Sequence, residues 1–270
     1  RDQKLLDRLK NSLWIRAFSP VTGQFCYERP VDIYLPSTLG NNNNLETLFE
    51  GIQDVYFVDC KYYIKGRKRE VSGWKEFFER LGVNAGLKVV EKRDGNYQLI
   101  PLEKILRRIH VTKNRKRAEA LTTVLTRQWD RLSRFRYFGY CCKDSDWLHT
   151  LKNEEWLPTS DGKFRRPSEI FLDKPEIREL LGDSVPYLSF RPDAEVENVL
   201  AELGVNRQVT VRKILERLEA LASEGCVDLA KFSNLYEYLN RNFETDSCTI
   251  SDAFSKRPLI FVPNTEQKYF

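Results

Sequence analysis

The stretch WLPTSDGKFRRPSEIFL, residues 156–172, decides the fold because its main features occur twice in the chain. Residues 14–35, WIRAFSPVTGQFCYERPVDIYL, keep the same order. Each stretch begins with Trp and an aliphatic residue, then passes a Gly and an aromatic residue. Each ends on Pro, an acidic residue, Ile, an aromatic residue and Leu. Two apolar runs around a Gly turn predict a short β-hairpin, here followed by an extended segment.

A second block matches downstream of each stretch. The sequence Leu-Gly-Val-Asn occurs at residues 81–84 and again at 203–206, each time at the end of an amphipathic helical pattern. An apolar strand pattern precedes each block, at residues 55–58 and 185–188. The Gly of each block suits the left-handed position that ends a helix. The copies lie a whole domain apart rather than the ~20–50 residues of solenoid repeats, so we predict a repeated domain-like unit.

Helical patterns account for most of the remaining chain. They cover residues 2–11, 45–51, 73–81 with Ser72 as a cap, 102–109, 114–138, 144–154, 175–181, 195–203, 208–223 and 228–243. An apolar run at residues 259–262 predicts a final strand. We therefore predict an α+β fold with two similar small α/β subdomains, which carry short hairpins and are joined by and packed on long helices.

The order of these patterns divides the chain into four segments. They are a first repeat unit at 1–95, a helical connector with a basic helix at 96–155, a second repeat unit with C-terminal helices at 156–257, and the start of a truncated third unit at 258–270. The chain contains no Met, not even at position 1, which indicates that residue 1 is not a native translation start and that the chain was trimmed, processed or cut from a longer protein.

The composition is that of a folded domain. Hydrophobic residues make up 41% of the chain and charged residues 31%, which fits a globular protein rather than a disordered one. No run approaches the ~18 consecutive apolar residues of a membrane helix, and the polar N-terminus lacks the apolar region of a signal peptide. The six Cys form no C-x-x-C pair, which favours buried thiols in a reducing compartment. We therefore predict a cytoplasmic protein without a membrane partner.

The usual signatures of catalysis and cofactor binding are missing from the sequence. It contains no Walker loop, no G-x-G-x-x-G, no G-x-S-x-G and no H-E-x-x-H. Cys141 and Cys142 with His149 have a spacing that matches no structural zinc pattern. The other His, His110, lies in a helical pattern among basic residues. We predict no catalytic residue, no cofactor and no metal.

Residues 114–138 predict a long helix with one apolar side and one basic side. The apolar side carries Ala118, Leu121, Leu125, Trp129 and Leu132. The opposite side carries Lys116, Arg127, Arg131 and Arg134, and Arg107 and Arg108 add positive charge before the helix. These six basic residues are the candidate binding residues of a chain whose net charge is +5.

Three interpretations fit this basic stripe. It could follow a phosphate backbone, since Lys and Arg contacts to phosphates supply most of the affinity for nucleic acid. It could pair with an acidic surface, either elsewhere in the parent protein or on a protein partner. It could also be an ordinary solvated helix face.

Several stretches resemble sacsin-like proteins, a family of very large proteins. Residues 156–172 and 203–205 are similar to a recurring segment of that family and to its downstream partner. Residues 55–59 and 77–83 resemble the same family in the first copy, and residues 257–263 resemble the opening of a third copy. The resemblance extends over most of the chain, and its motifs are structural rather than catalytic.

The resemblance implies a role inside a larger protein. Sacsin-like proteins carry an N-terminal ATP-binding domain of the heat-shock-chaperone and histidine-kinase type, followed by long regions of this kind. The Asp-x-Gly-x-Gly loop of that domain does not occur in this sequence. The family therefore implies a non-catalytic, chaperone-associated scaffold segment, whose partners are other regions of the parent or a separate protein. The alternative is a nucleic-acid-binding module of such a protein, including one that acts on foreign DNA.

Overall fold

The computed structural model describes residues 2–40, 43–63, 68–139 and 142–262. The fold is mixed α+β, as predicted, with small antiparallel hairpins among many helices. Within the described residues, no helix is both long and apolar enough to cross a lipid bilayer.

The first part of the chain alternates short strands with helices and single 3-10 turns. In order, it contains α1 (Asp2–Asn11), β1 (Ile15–Phe18), β2 (Phe25–Glu28), 3-10 turns at Pro30–Asp32 and Ser37–Leu39, α2 (Leu45–Phe49), β3 (Phe57–Val58), a 3-10 turn at Cys60–Tyr62, α3 (Lys68–Arg80), β4 (Lys88–Glu91), β5 (Tyr97–Ile100) and α4 (Leu102–Thr112). Strand β1 lies in the middle of a three-stranded antiparallel sheet, between β2 and β3.

The second part is more helical. It continues with α5 (Arg115–Arg127), α6 (Trp129–Leu132), a 3-10 turn at Ser133–Phe135, β6 (Tyr137–Phe138), β7 (Lys143–Asp144), α7 (Asp146–Asn153), β8 (Leu157–Pro158), β9 (Phe164–Arg165), a 3-10 turn at Pro167–Glu169, α8 (Pro175–Leu181), α9 (Ala194–Glu202), α10 (Val211–Ser223), α11 (Leu229–Arg241) and α12 (Phe243–Lys256).

The chain forms two compact units. The first comprises Arg1–Pro158, Phe164–Pro167 and Pro192–Leu203, and the second comprises Thr159–Lys163, Ser168–Arg191 and Gly204–Phe270. In the first unit, a buried cluster under the sheet includes Ile15, Ile33, Leu35, Phe78 and Leu81. In the second, α10 packs against α8, α11 and α12 around buried Ile214, Leu218, Phe232 and Leu239.

The two copies seen in the sequence share one pattern of backbone pairing. In each, a central aromatic residue forms two parallel bridges. One joins it to an aromatic residue of the apolar run before the Leu-Gly-Val-Asn block, and the other joins it to the Asn of that block. The bridges are Tyr34–Phe57 and Tyr34–Asn84 in the first copy, and Phe171–Tyr187 and Phe171–Asn206 in the second. The repeat predicted from residue order is therefore also a repeat of local structure.

The Asn side chains repeat as well. Asn84 Nδ2 donates to the carbonyls of Val31 and Ile33 at 2.9 and 3.0 Å, and Asn206 Nδ2 donates to those of Ser168 and Ile170 at 2.9 and 3.0 Å. The Gly two residues before each Asn has a positive φ, +87° at Gly82 and +111° at Gly204. A Cβ at Gly82 would lie 3.2 Å from the Val31 side chain, so both backbone and space favour Gly there.

Strand register corrects one detail of the sequence alignment. Arg16, two residues after Trp14, lies opposite Tyr27 in the first hairpin. Pro158, two residues after Trp156, lies opposite Phe164 in the second. Phe164 therefore corresponds to Tyr27 rather than to Phe25, because the hairpin loop of the first copy is longer. The match by residue type alone was wrong at this position.

Some predicted elements differ from the observed ones. Helix α3 begins at Lys68 rather than after Ser72, because Val71 and Trp74 already pack on the core. The predicted helix at residues 114–138 ends at Gln128, whose ψ of 3° is not helical. The amide of Gln128 occupies the space that a side chain at Gly86 would need, so a tertiary contact interrupts the helix.

The end of the chain holds two further differences. Residues 259–262 form a single bridge at Phe261 rather than a strand, and residues 263–270 of the predicted third unit lie outside the described residues. Helix α12 was not predicted, because its Thr, Ser and Asp residues disfavour helix and it buries only Ile250 and Ala253.

Candidate functional site

Two of the predicted binding residues lie on α4. Arg107 and Arg108 are exposed, on the side opposite the buried Leu102, Ile105, Leu106 and Ile109. The guanidinium of Arg108 lies next to Gly51, where an added Cβ would be 2.9 Å from its Nη2 atom. Arg108 therefore covers a backbone segment of the first unit, whereas Arg107 extends from the surface.

Lys116 and Arg127 lie on the solvent-facing side of α5. They are 11 residues apart, so at 3.6 residues per turn their directions differ by only ~20° around the helix axis. Neither side chain forms an ion pair within the parts of the chain that the structure describes, whereas Arg115 pairs with Glu119 at 2.7 Å. These two cations are the free part of the predicted stripe.

Arg131 is not part of a free stripe. Its Nη2 donates to the carbonyl of Leu87 at 2.5 Å and to Gln128 Oε1 at 2.9 Å. Burial lowers the pKa of the Arg131 guanidinium. This arginine joins α6 to the segment before β4, so its first role is structural.

Arg134 and Arg131 line a groove of about 370 Å³ together with Lys88 and Phe135. The ammonium of Lys88 is already paired with Asp32 at 3.1 Å and donates to the carbonyl of Val31 at 2.9 Å. Among these described cations of the groove, only Arg134 has no polar partner. The structure therefore divides the predicted stripe into a free pair on α5 and a mostly satisfied groove at α6.

Arg117, the neighbour of Lys116 in the sequence, is only 3% exposed. Its Nη2 donates to the carbonyl of Glu50 at 2.5 Å, and Nη1 lies 3.5 Å from Thr112 Oγ1. Burial lowers the pKa of the guanidinium, and the nearby Glu50 carboxylate opposes that shift. Arg117 ties α5 to the segment after α2, and nothing in its local sequence distinguishes it from its exposed neighbours.

The apolar face of α5 has an occupant. Ala118, Leu121, Leu125 and the α6 residue Leu132 are fully buried, and Trp129 nearly so, as the helical pattern predicted. Helices α2 and α9 pack on α5, and so does strand β8. Phe164 of the same hairpin is 8% exposed, with the Lys113 ammonium 5.4 Å from the centre of its ring. The helix that follows the first copy therefore covers the hairpin that opens the second.

Residues of α6 and of the 3-10 turn after it also cover α7. Trp147 meets Trp129 edge to face, with ring centres 6.0 Å apart, and its Nε1 donates to the carbonyl of Phe135 at 2.8 Å. The Trp129 indole donates to Glu202 at 3.2 Å, and Arg136 pairs with the same carboxylate. We call α4, α5 and α6 the helical layer of the first copy.

Two further cavities of the described chain contain ion pairs. One of about 420 Å³ contains the pairs Lys88–Asp32 at 3.1 Å and Lys104–Asp54 at 3.0 Å. One of about 790 Å³ between α10 and α12 contains Arg257–Glu219 at 2.5 Å. Paired charges of this kind are typical of solvated helix faces. No group of three or more His, Cys, Asp or Glu among the described residues could hold a metal, and Cys141 lies outside them.

Comparison with known proteins gives no match among family models, curated proteins or solved structures.

Proposed function

We propose that this chain is a non-catalytic scaffold and interaction segment of a larger sacsin-like protein. In this proposal, repeat units are joined because the helical layer after one copy receives the opening hairpin of the next. The observation that carries it is the burial of Phe164 and Trp156 in the same compact unit as α5. Repeats built in this way depend on their neighbours for stability, as in other repeat proteins.

Hydrogen exchange tests the proposal. Phe164→Ala should increase amide exchange in α5 by ten-fold or more, because the hairpin that packs on this helix loses a buried side chain. Tyr27→Ala is a matched control, since Tyr27 holds the corresponding register position but is exposed. Equal and small effects of the two changes would mean that the hairpin and the helix are not energetically coupled, and the scaffold proposal would fail.

A second candidate is a nucleic-acid-binding module. The observation in its favour is the exposed pair Lys116 and Arg127, which has no ion-pair partner among the described residues. Arg131 counts against a four-residue stripe, because its guanidinium is already bonded to Leu87 and Gln128. Gel shifts with a double charge reversal on α5 distinguish this candidate from the scaffold.

A further inference from the structure

The openings of the two copies can be matched residue by residue. Trp14 Nε1 donates to the carbonyl of Leu9 at 2.8 Å, and Trp156 Nε1 donates to that of Leu151 at 2.8 Å, five residues upstream in both copies. Helix α1 therefore corresponds to α7, which places Leu5 at the position of Trp147. Strand register places Tyr27 at the position of Phe164.

Matched positions differ sharply in exposure. Leu5 is 59% exposed and Trp147 is 1% exposed. Tyr27 is 64% exposed and Phe164 is 8% exposed. Trp14 is half-buried, whereas Trp156 is fully buried. The first copy thus leaves open the surface that the second copy buries under the helical layer.

We call this surface the first-copy face and define it by the matched residues Leu5, Trp14 and Tyr27. Leu13 and Phe25 are also exposed. Phe77, whose ring lies 6.4 Å from that of Trp14, is 40% exposed beside it. Exposed aromatic and aliphatic side chains that are grouped in this way mark interaction sites more often than scattered ones do.

The start of the predicted third copy follows the same rule in the second unit. Leu259 and Phe261 are buried, and the Phe261 ring stacks on Phe232 of α11 with centres 4.6 Å apart. The Tyr236 hydroxyl donates to the carbonyl of Leu259 and accepts from the amide of Phe261, both at 2.8 Å. Helices that follow a copy again cover the segment that comes next.

We propose that the first-copy face is a docking surface for a helical layer of the α4–α6 type, supplied by another repeat unit. This inference rests on the proposed scaffold function. The chemistry of the occupant is set by the layer that covers the second copy. It is a helix with a small and aliphatic face, like Ala118, Leu121 and Leu125, followed by an aromatic residue in the place of Trp129.

A tandem extension tests the inference on the full chain. A second copy of residues 96–142 is joined to the N-terminus of the chain. Residue 1 then follows the added residue 142, just as residue 143 follows residue 142 in the original chain. We expect amide exchange across residues 2–28 to slow by about ten-fold or more, because the added layer buries α1 and the first hairpin. Exchange at the rate of the unextended chain would overturn the proposal.

Two variants show whether protection comes from the proposed contact. Leu121→Asp with Leu125→Asp, made only in the added segment, should abolish protection while the native α5 stays intact. Leu5→Lys with Tyr27→Lys should do the same from the receiving side, and both residues are exposed, so the fold should survive. Protection that persists in both variants would overturn the proposal.

Sedimentation of the unextended chain tests for a different occupant of the first-copy face, a second copy of the same chain. If the chain dimerises and Leu5→Lys with Tyr27→Lys abolishes the dimer, the face binds a second copy and the proposal is overturned. The Phe164→Ala experiment remains a separate test. If Phe164→Ala shows that the hairpin and α5 are coupled, but residues 2–28 gain no protection in the tandem chain, this inference is rejected and the scaffold function is retained.

Discussion

Trp156 and Trp14 make the same hydrogen bond in different surroundings: each indole donates at 2.8 Å to a carbonyl five residues earlier, but only Trp156 is fully buried. We expect Trp156→Ala to lower the free energy of unfolding by ~3–5 kcal/mol, the usual cost of truncating a buried aromatic residue. Trp14→Ala should cost less, because half-buried side chains lose less contact. Denaturant melts of both variants measure the difference. Equal losses would mean that the two openings are covered alike.

The two repeated Asn residues should contribute similar amounts to the free energy of unfolding. Asn84→Ala and Asn206→Ala each remove two hydrogen bonds to backbone carbonyls, so each should cost roughly 1–3 kcal/mol. Asn153→Ala is the control, since Asn153 also donates to a carbonyl, that of His149, but from an exposed helix position. It should change the free energy of unfolding by less than about 0.5 kcal/mol. Thermal or denaturant melts that place all three variants together would contradict the structural role of the pair.

Asp146 should make the first unit sensitive to acid. The hydrogen bond from Lys92 and its positive charge lower the pKa of Asp146, and Asn96 Nδ2 also donates to the carboxylate at 2.6 Å. A carboxyl whose pKa is lower in the folded state stabilises the fold above its unfolded pKa of ~3.9 and loses that contribution as the pH falls through the folded value. Asp146→Asn should therefore be less stable at pH 7 and should lose less stability between pH 5 and pH 2. Chemical melts across this range measure both slopes, and parallel slopes would contradict the prediction.

Charge reversal on α5 should have little effect on nucleic-acid binding if the scaffold function is correct. Lys116→Glu with Arg127→Glu would remove two phosphate contacts, worth a log–log salt slope of ~−1.8 on duplex DNA. Arg80→Glu with Arg93→Glu changes the net charge equally at exposed positions on α3 and in the β4–β5 turn. We expect no tight binding by the wild type at physiological salt. Gel shifts that show binding lost only in the α5 variant would favour the nucleic-acid module.

The chain should not bind ATP. Its sequence has no Walker loop and no Asp-x-Gly-x-Gly loop. Calorimetry with Mg-ATP should give no binding heat. Micromolar affinity would reveal a nucleotide site and would contradict the non-catalytic proposal.

Local features of the repeat could be predicted from the sequence, because Trp, Gly and Pro constrain short segments strongly. The exact register could not, because loop length decides whether Phe25 or Tyr27 meets the residue two positions after Trp14. The break at Gln128 could not be predicted either, since it depends on space beside Gly86, which is distant in sequence.

The roles of the candidate binding residues were harder to predict from the sequence than the strand register. Local spacing places Arg127 and Arg131 on one basic side, but the partner of Arg131 is the carbonyl of Leu87. The partner of Arg117 is the carbonyl of Glu50. Whether an arginine is free or structural depends on such distant backbone groups, which helical periodicity cannot reveal.

The placement of the hairpin β8–β9 on α5 has a consequence for how such genes can be recombined. A hairpin carries its own strands but takes its cover from the helices encoded before it. Duplication or exchange of a segment cut from one opening Trp to the next would separate a hairpin from its cover, and the new junction would have to fit by chance. A segment cut just before the covering helices of one copy and just before those of the next keeps each cover next to the hairpin that it already fits. Inherited length changes should therefore add or remove blocks in that phase, and hybrids made in the laboratory should tolerate crossovers just before α4 better than crossovers beside Trp156.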